Sequence, residues 1–219
     1  MPHLCEDLHH WANALPVFRF PFDARALPLN GIYLLFEKGE TAHGTNRIVR
    51  VGTHTGNDQL RSRLKQHFLV ENKDRSIFRK NIGRALLNKD RDAFLSDWEL
   101  DLTARKAKDQ HSGRVDMARQ QAVERRVSAY IQSSFSFVAV PANEKEQRLR
   151  LESRLISTIS LCETCRPSTG WLGRFSPKEK IQKSGLWLVN ELYGQPLSNE
   201  EFSELKDFKS RGARQERAR

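Results

Sequence analysis

Glu152 sits where a charge is least expected. With Leu149 at zero and about 100° per residue, it falls at about 300° on the helical wheel, inside an apolar arc of Leu155 at about 240°, Ile159 at about 280° and Ile156 at about 340°. An isolated carboxylate on a buried face costs several kcal/mol, so it needs a cation. Arg148, one turn earlier, would serve as an ion-pair partner. A Mg²⁺ or Mn²⁺ ion shared with waters and a phosphate would serve too, since hard cations at phosphoryl-transfer sites are often held by one carboxylate. Arg63 and His67 lie one helical turn apart on the shoulder of a Leu60, Leu64, Phe68 stripe. A guanidinium there could donate two hydrogen bonds to a phosphate and offset the charge that builds on its oxygens. The plainer reading is a solvated or capping side chain. Tyr33 could orient a water molecule or act as its general base. A free phenol, with a pKa near 10, is ionised in only about one part in a thousand at neutral pH, so a required phenolate costs roughly 4 kcal/mol unless cations lie close. Its plainer reading is a core tyrosine bonded to a backbone carbonyl.

These side chains have to be carried by elements that bring them together. Residues 1 to 14 read as a short helix, followed by an extended lead-in punctuated by Pro16, Pro21 and Pro28. Gly31 to Phe36 is apolar at nearly every position, as in a strand buried on both faces. A polar stretch containing Gly39 and Gly44 separates it from a second strand, Arg47 to Gly52, which predicts an antiparallel hairpin with a long loop. Helices are expected from about Leu60, and over 75 to 88 with Ile77, Phe78, Ile82, Ala85 and Leu86 inward. Arg75, Arg79, Lys80 and Arg84 would then be free to face a partner. Residues 104 to 133, rich in Ala, Gln and Arg, read as a helical insertion broken at Ser112-Gly113. Ser134 to Val140 is a third strand, and a helix over about 143 to 161 carries Glu152. Ser176-Pro177-Lys178-Glu179 has the pattern of a helix start with Ser176 as N-cap, and an amphipathic helix spans about 199 to 208. The expected architecture is therefore α/β (α+β), with a small three-stranded antiparallel sheet flanked by helices. It divides into an N-terminal lead-in (1–28), a core (29–165), a C-terminal extension (166–208) and a basic, disordered tail (209–219).

The chain has 219 residues and a net charge of +10, which favours a polyanionic partner such as nucleic acid. No window of about 18 apolar residues is present, and Met1 to Trp11 carries charge and paired histidines where a signal peptide would be apolar. A cytoplasmic protein without a membrane partner or a small-molecule cofactor is expected. Three cysteines argue against a secreted disulfide framework. Cys162 and Cys165 form a lone CxxC, and no second Cys or His pair has the spacing to complete a zinc site, though His9 and His10 or His111 could come close in space. Ordinary reduced thiols are the expectation.

The order strand, strand, helix, helix, strand, helix, opened by Gly31-Ile32-Tyr33 and with Val51-Gly52 closing the second strand, resembles the GIY-YIG nucleases. Arg63-Leu64-Lys65-Gln66-His67 and Glu152 fall where that family has its functional residues, and the resemblance covers roughly residues 29 to 165. It implies a metal-dependent endonuclease acting on nucleic acid, expected to be DNA. Glu152 would hold Mg²⁺ or Mn²⁺, Arg63 would bind the phosphate, His67 would be its basic partner, and Tyr33 would serve the attacking water. The arginine cluster of residues 75 to 84, with Arg125 and Arg126, would grip the backbone without reading sequence. One departure is clear: Arg50 stands where the family has its second tyrosine. Arg50 could bind the phosphate, and His54 could share the proton transfer. The alternatives are a degenerate nucleic-acid-binding protein on the same fold, or a partner-binding protein using residues 104 to 133 and the C-terminal helices. The family's late asparagine has no assignable match, Asn190 lying too far along the chain.

Overall fold

The computed structural model of the chain describes residues 2–103, 113 and 115–216. Helix α1 (Pro2–Asn13) leads into β1 (Phe18–Arg19), then β2 (Gly31–Ala42) and β3 (Thr45–Gly52). Helices α2 (Leu60–Phe68), α3 (Ile77–Lys89), α4 (Leu95–Trp98) and α5 (Met117–Ser134) follow. After them come β4 (Phe135–Pro141), α6 (Lys145–Ser160), α7 (Glu179–Ser184) and α8 (Asn199–Glu216). The architecture is mixed α/β, and its antiparallel sheet has four strands in the order β1-β4-β2-β3, not three. The additional strand, β1, is a two-residue edge paired with Phe137 and Ser136, too short to show alternation in the sequence.

The apolar run of β2 is explained by burial on both faces. Tyr33 and Leu35, with Phe135 and Phe137 of β4, pack against α2, α3 and α5. Ile32, Leu34 and Phe36, with Val138 and Val140, pack against α1, α6 and α8. The loop expected between β2 and β3 is instead more strand: both run to a two-residue turn at His43-Gly44, with φ of 51° and 71°. Positive φ at both positions is the twist that a tight hairpin requires, and histidine tolerates it better than most residues. The pairing register shifts between Phe36 and Thr41, which takes up the polar stretch containing Gly39.

Three further expectations change. The predicted cap Ser176 instead bonds the Lys178 N–H, and the helix begins at Glu179. Helix α8 continues to Glu216, past residue 208, where a disordered tail was expected to begin. Of the expected helical insertion, residues 104–112 and 114 lie outside the described residues. Helix α5 buries Val123, Val127 and Ile131 in the same core as Phe78 and Ile82, so it is part of the domain. Residues 171–175, after α6, are held by an aromatic anchor: the Nε1 atoms of Trp171 and Trp187 both donate to Glu37 Oε2 at 2.8 Å, and the Tyr130 hydroxyl donates to Glu37 Oε1.

Candidate active site

Gly52 is the pivot of the site. It ends β3 opposite Tyr33 in the pairing register, and the tyrosine ring lies across it. A Cβ at this position would come within 2.2 Å of the Tyr33 hydroxyl, so any residue but glycine would displace the ring. The next residue, Thr53, donates its backbone N–H to Glu152 Oε1 at 3.0 Å. The phenol of Tyr33 and the carboxylate of Glu152 thus flank one peptide unit, although 119 residues of sequence number separate positions 33 and 152.

The Tyr33 hydroxyl lies 2.7 Å from His67 Nε2, and His67 Nδ1 lies 2.8 Å from the Ser76 hydroxyl. Ser76 caps α3 by accepting the Arg79 N–H. This string is fully buried. Burial, then the charges of Arg50, Arg63 and Arg79, hold His67 well below the usual imidazole range, so the ring is neutral and can pass or receive hydrogen bonds in either direction.

Glu152 is half-buried, and burial pushes its carboxyl above the ordinary glutamate range. Arg50, the Thr53 N–H and Arg63 act in the opposite direction. Among the described residues no lysine or arginine forms an ion pair with it. Arg148, the candidate partner in sequence, instead donates to the carbonyls of Ala142, Asn143 and Gly56. Arg50 packs its guanidinium over the Phe78 ring and donates Nη1 to the Trp187 carbonyl at 2.5 Å, while its buried Nε has no partner among the described residues. Arg63 donates to two neutral acceptors, Gln66 Oε1 and the Arg75 carbonyl, each at 3.1 Å. Arg50 and Glu152 line one hollow of about 280 Å³ with Asn81, Trp187, Asn190 and Glu191. Arg63, Thr53 and His54 line a second, of about 330 Å³. The two meet at Thr53, which lines one and bonds the carboxylate of the other.

Other sequence candidates fall elsewhere. His54 is engaged at both nitrogens, Nδ1 with the Gly56 carbonyl at 2.7 Å and Nε2 with the Gly31 N–H at 3.3 Å. Burial, then Arg148, lowers its proton affinity, so it works as a neutral clamp and has no lone pair free for proton transfer. Arg79, expected to face outward, is fully buried against Glu124. Arg84 is buried and makes a two-pronged pair with Glu99. Lys80 reaches Asp74 and the Glu99 carbonyl. The reason is that α5 and the segment around Glu99 cover the face that an isolated helix would leave in water, while Ile77 turns outward. Arg75 and Arg125 are exposed, and Arg126 pairs with Asp90. Asn81, Ser76 and Trp187 have no counterpart among the sequence candidates, and Asn190, set aside in sequence as too far along the chain, lines the hollow of Glu152. Only Ser76 has a local signal, a serine just ahead of an apolar helix.

A tyrosine, arginines and a carboxylate are thus grouped around a strand-end glycine on a mixed α/β fold. A family model for the GIY-YIG domain matches residues 8–211, and the chain belongs to the GIY-YIG nuclease family. Neither curated proteins nor solved structures yield a match to the chain. Among the described residues no helix is long and apolar enough to cross a membrane.

Proposed function

We propose that the protein is a metal-dependent endonuclease that hydrolyses phosphodiester bonds in nucleic acid, with DNA as the expected polymer. One observation carries the reading: Tyr33 and Glu152 flank the Gly52–Thr53 peptide, and Arg50 and Arg63 act electrostatically on both Glu152 and His67. A net charge of +10 supports a polyanionic substrate.

Glu152 suits a hard divalent cation, Mg²⁺ or Mn²⁺, because its carboxylate is partly desolvated, oriented by one backbone N–H and not taken up by an ion pair with a basic side chain. When bound, such an ion would neutralise charge on the scissile phosphate. The chain's own groups supply the rest. Arg63 exchanges its neutral acceptors for phosphate oxygens, and the unpartnered Nε of Arg50 offers a further N–H from the other side. Neutral His67 accepts the phenol hydrogen of Tyr33, leaving the phenol oxygen free to accept a hydrogen bond from the attacking water. Asn81 and Asn190 present neutral donors in the hollow.

Two observations favour a second reading, binding without cleavage: Tyr33 has no exposed surface, and Arg50 replaces the family's second tyrosine. Nicking of supercoiled plasmid, followed with and without Mg²⁺ or Mn²⁺, separates the two. Wild-type cutting that needs metal and is lost in Glu152→Ala supports the nuclease. Retention of DNA by a wild type that never cuts, under any divalent ion, supports the binder.

A further inference from the structure

The far end of the β2–β3 hairpin collects a second set of groups that the phosphate site does not use. Cys5 and His9 come from α1, His43 from the hairpin turn, and Cys165 from the segment after α6. One ligand atom from each lies within 4.8 Å of the other three. Cys5 Sγ is 3.4 Å from Cys165 Sγ, and Cys165 Sγ is 3.2 Å from His43 Nε2 and 3.9 Å from His9 Nε2. A tetrahedral zinc with sulfur at about 2.3 Å and nitrogen at about 2.0 Å separates its ligand atoms by roughly 3.3 to 3.8 Å, so the cluster is close to the required size.

We propose that Cys5, His9, His43 and Cys165 bind one Zn²⁺ as a closed structural site. Two sulfurs and two imidazoles with no carboxylate are a soft donor set, suited to zinc and unsuited to the hard cation of Glu152. Cys5, His9 and Cys165 are buried and His43 closes the rim, which leaves no open position for a substrate. The tautomer of His9 is already set: Nδ1 donates to the Cys5 carbonyl at 2.8 Å, the support that a ligating imidazole needs, and Nε2 turns to the sulfurs. That Nε2 also accepts the Ile48 N–H at 3.2 Å. Ligation replaces this one long neutral bond with a bond to the metal, a small loss beside two thiolate bonds. Cys162, with Sγ 3.6 Å from His43 Nε2, is outside the set of four. The left-handed backbone at His43 acquires a role here, since it turns the imidazole from the hairpin tip toward Cys165. Sequence spacing could not reveal the site, because its ligands come from three separate segments. The ion would tie α1 and the end of α6 to the hairpin, and α6 carries Glu152.

The test is elemental analysis of the purified full chain, together with cobalt substitution of metal-stripped protein. One zinc per chain is expected. Co²⁺ should give the visible bands of tetrahedral coordination and a near-ultraviolet thiolate charge-transfer band. His43→Ala, at the hairpin rim, and Cys165→Ser should each weaken zinc binding by at least about a hundredfold, beyond the usual loss of an outer-shell partner. Cys162→Ser should leave the cobalt spectrum unchanged. Circular dichroism of His43→Ala guards against simple unfolding. Wild type without zinc and with only octahedral cobalt spectra would overturn the proposal. So would undiminished zinc in the His43→Ala/Cys165→Ser double variant, loss of the cobalt bands in Cys162→Ser, or a Cys5–Cys165 disulfide that forms equally fast with and without zinc.

Discussion

Glu124, buried, and Glu152, half-buried, both sit among arginines, and only one of them is finished. Glu124 on α5 receives Arg79 Nε at 3.1 Å and Nη2 at 2.7 Å on one oxygen, and the Lys73 backbone N–H on the other. Glu152 on α6 receives one backbone N–H among the described residues, while Arg50 and Arg63 act on it from a distance. Burial pushes both carboxyls upward. At Glu124 the fold itself supplies the compensating charge and the geometry. At Glu152 it supplies the field and one backbone N–H, an arrangement that the proposed metal ion would complete. A buried acid among bases is therefore weak evidence of function until its hydrogen bonds are followed to their ends.

The sharpest way to break this contrast is to remove each carboxylate in turn. Glu152→Ala should lower metal-dependent cleavage by at least about a thousandfold, about 4 kcal/mol of transition-state stabilisation. Its denaturation midpoint should hold or rise, because an uncompensated buried charge is removed. Cleavage within tenfold of wild type would sink the assignment. Glu124→Ala should do the reverse. It strands Arg79 in the core and should cost about 3 kcal/mol of stability in urea titrations. Its effect on cleavage should follow only the folded fraction, and a loss of under about 1 kcal/mol would mean that the pair is not what holds α5 to α3.

Both glutamates illustrate what the sequence could and could not carry. Glu152 was legible because helical periodicity put it in an apolar arc, and the strand Gly31–Phe36 was legible because burial on both faces removes alternation. The same periodicity misplaced Arg79, Lys80 and Arg84. An amphipathic wheel assigns polar residues to water, and it has no knowledge of a second helix that brings Glu124 or a segment that brings Glu99. Sequence alone shortens the hairpin because Gly39 and Gly44 look alike in it, yet one sits in a register shift and the other in the turn. Asn190 and Trp187 join the Glu152 hollow only through tertiary folding, so no local pattern marks them.

Smaller effects sharpen the comparison on the side of the unfinished site. Tyr33→Phe keeps the ring that Gly52 accommodates and removes only the hydroxyl bonded to His67. Cleavage should fall about a hundredfold, the lower range for a group that assists proton movement, with DNA retention unchanged. A variant that cuts as well as wild type would reduce Tyr33 to packing and leave water activation to some other group.

The smallest effect concerns protons and metal at Glu152. Burial lifts its carboxyl above the ordinary value of 4.5, so the folded chain keeps that proton to a higher pH than the unfolded chain does. Stability from this group is therefore full below 4.5 and declines as pH rises through the lifted value, whereas cleavage, which needs the carboxylate, climbs over the same interval. Because metal and proton compete for one carboxylate, raising Mg²⁺ tenfold at concentrations that already saturate the site at neutral pH should move the acid limb of the rate profile down by about one pH unit. In Glu152→Gln the rise in stability toward acid should flatten across that interval. An acid limb that stays in place at every metal concentration would mean that the titrating group is not the metal ligand, and Glu152 would then be as closed a structural acid as Glu124.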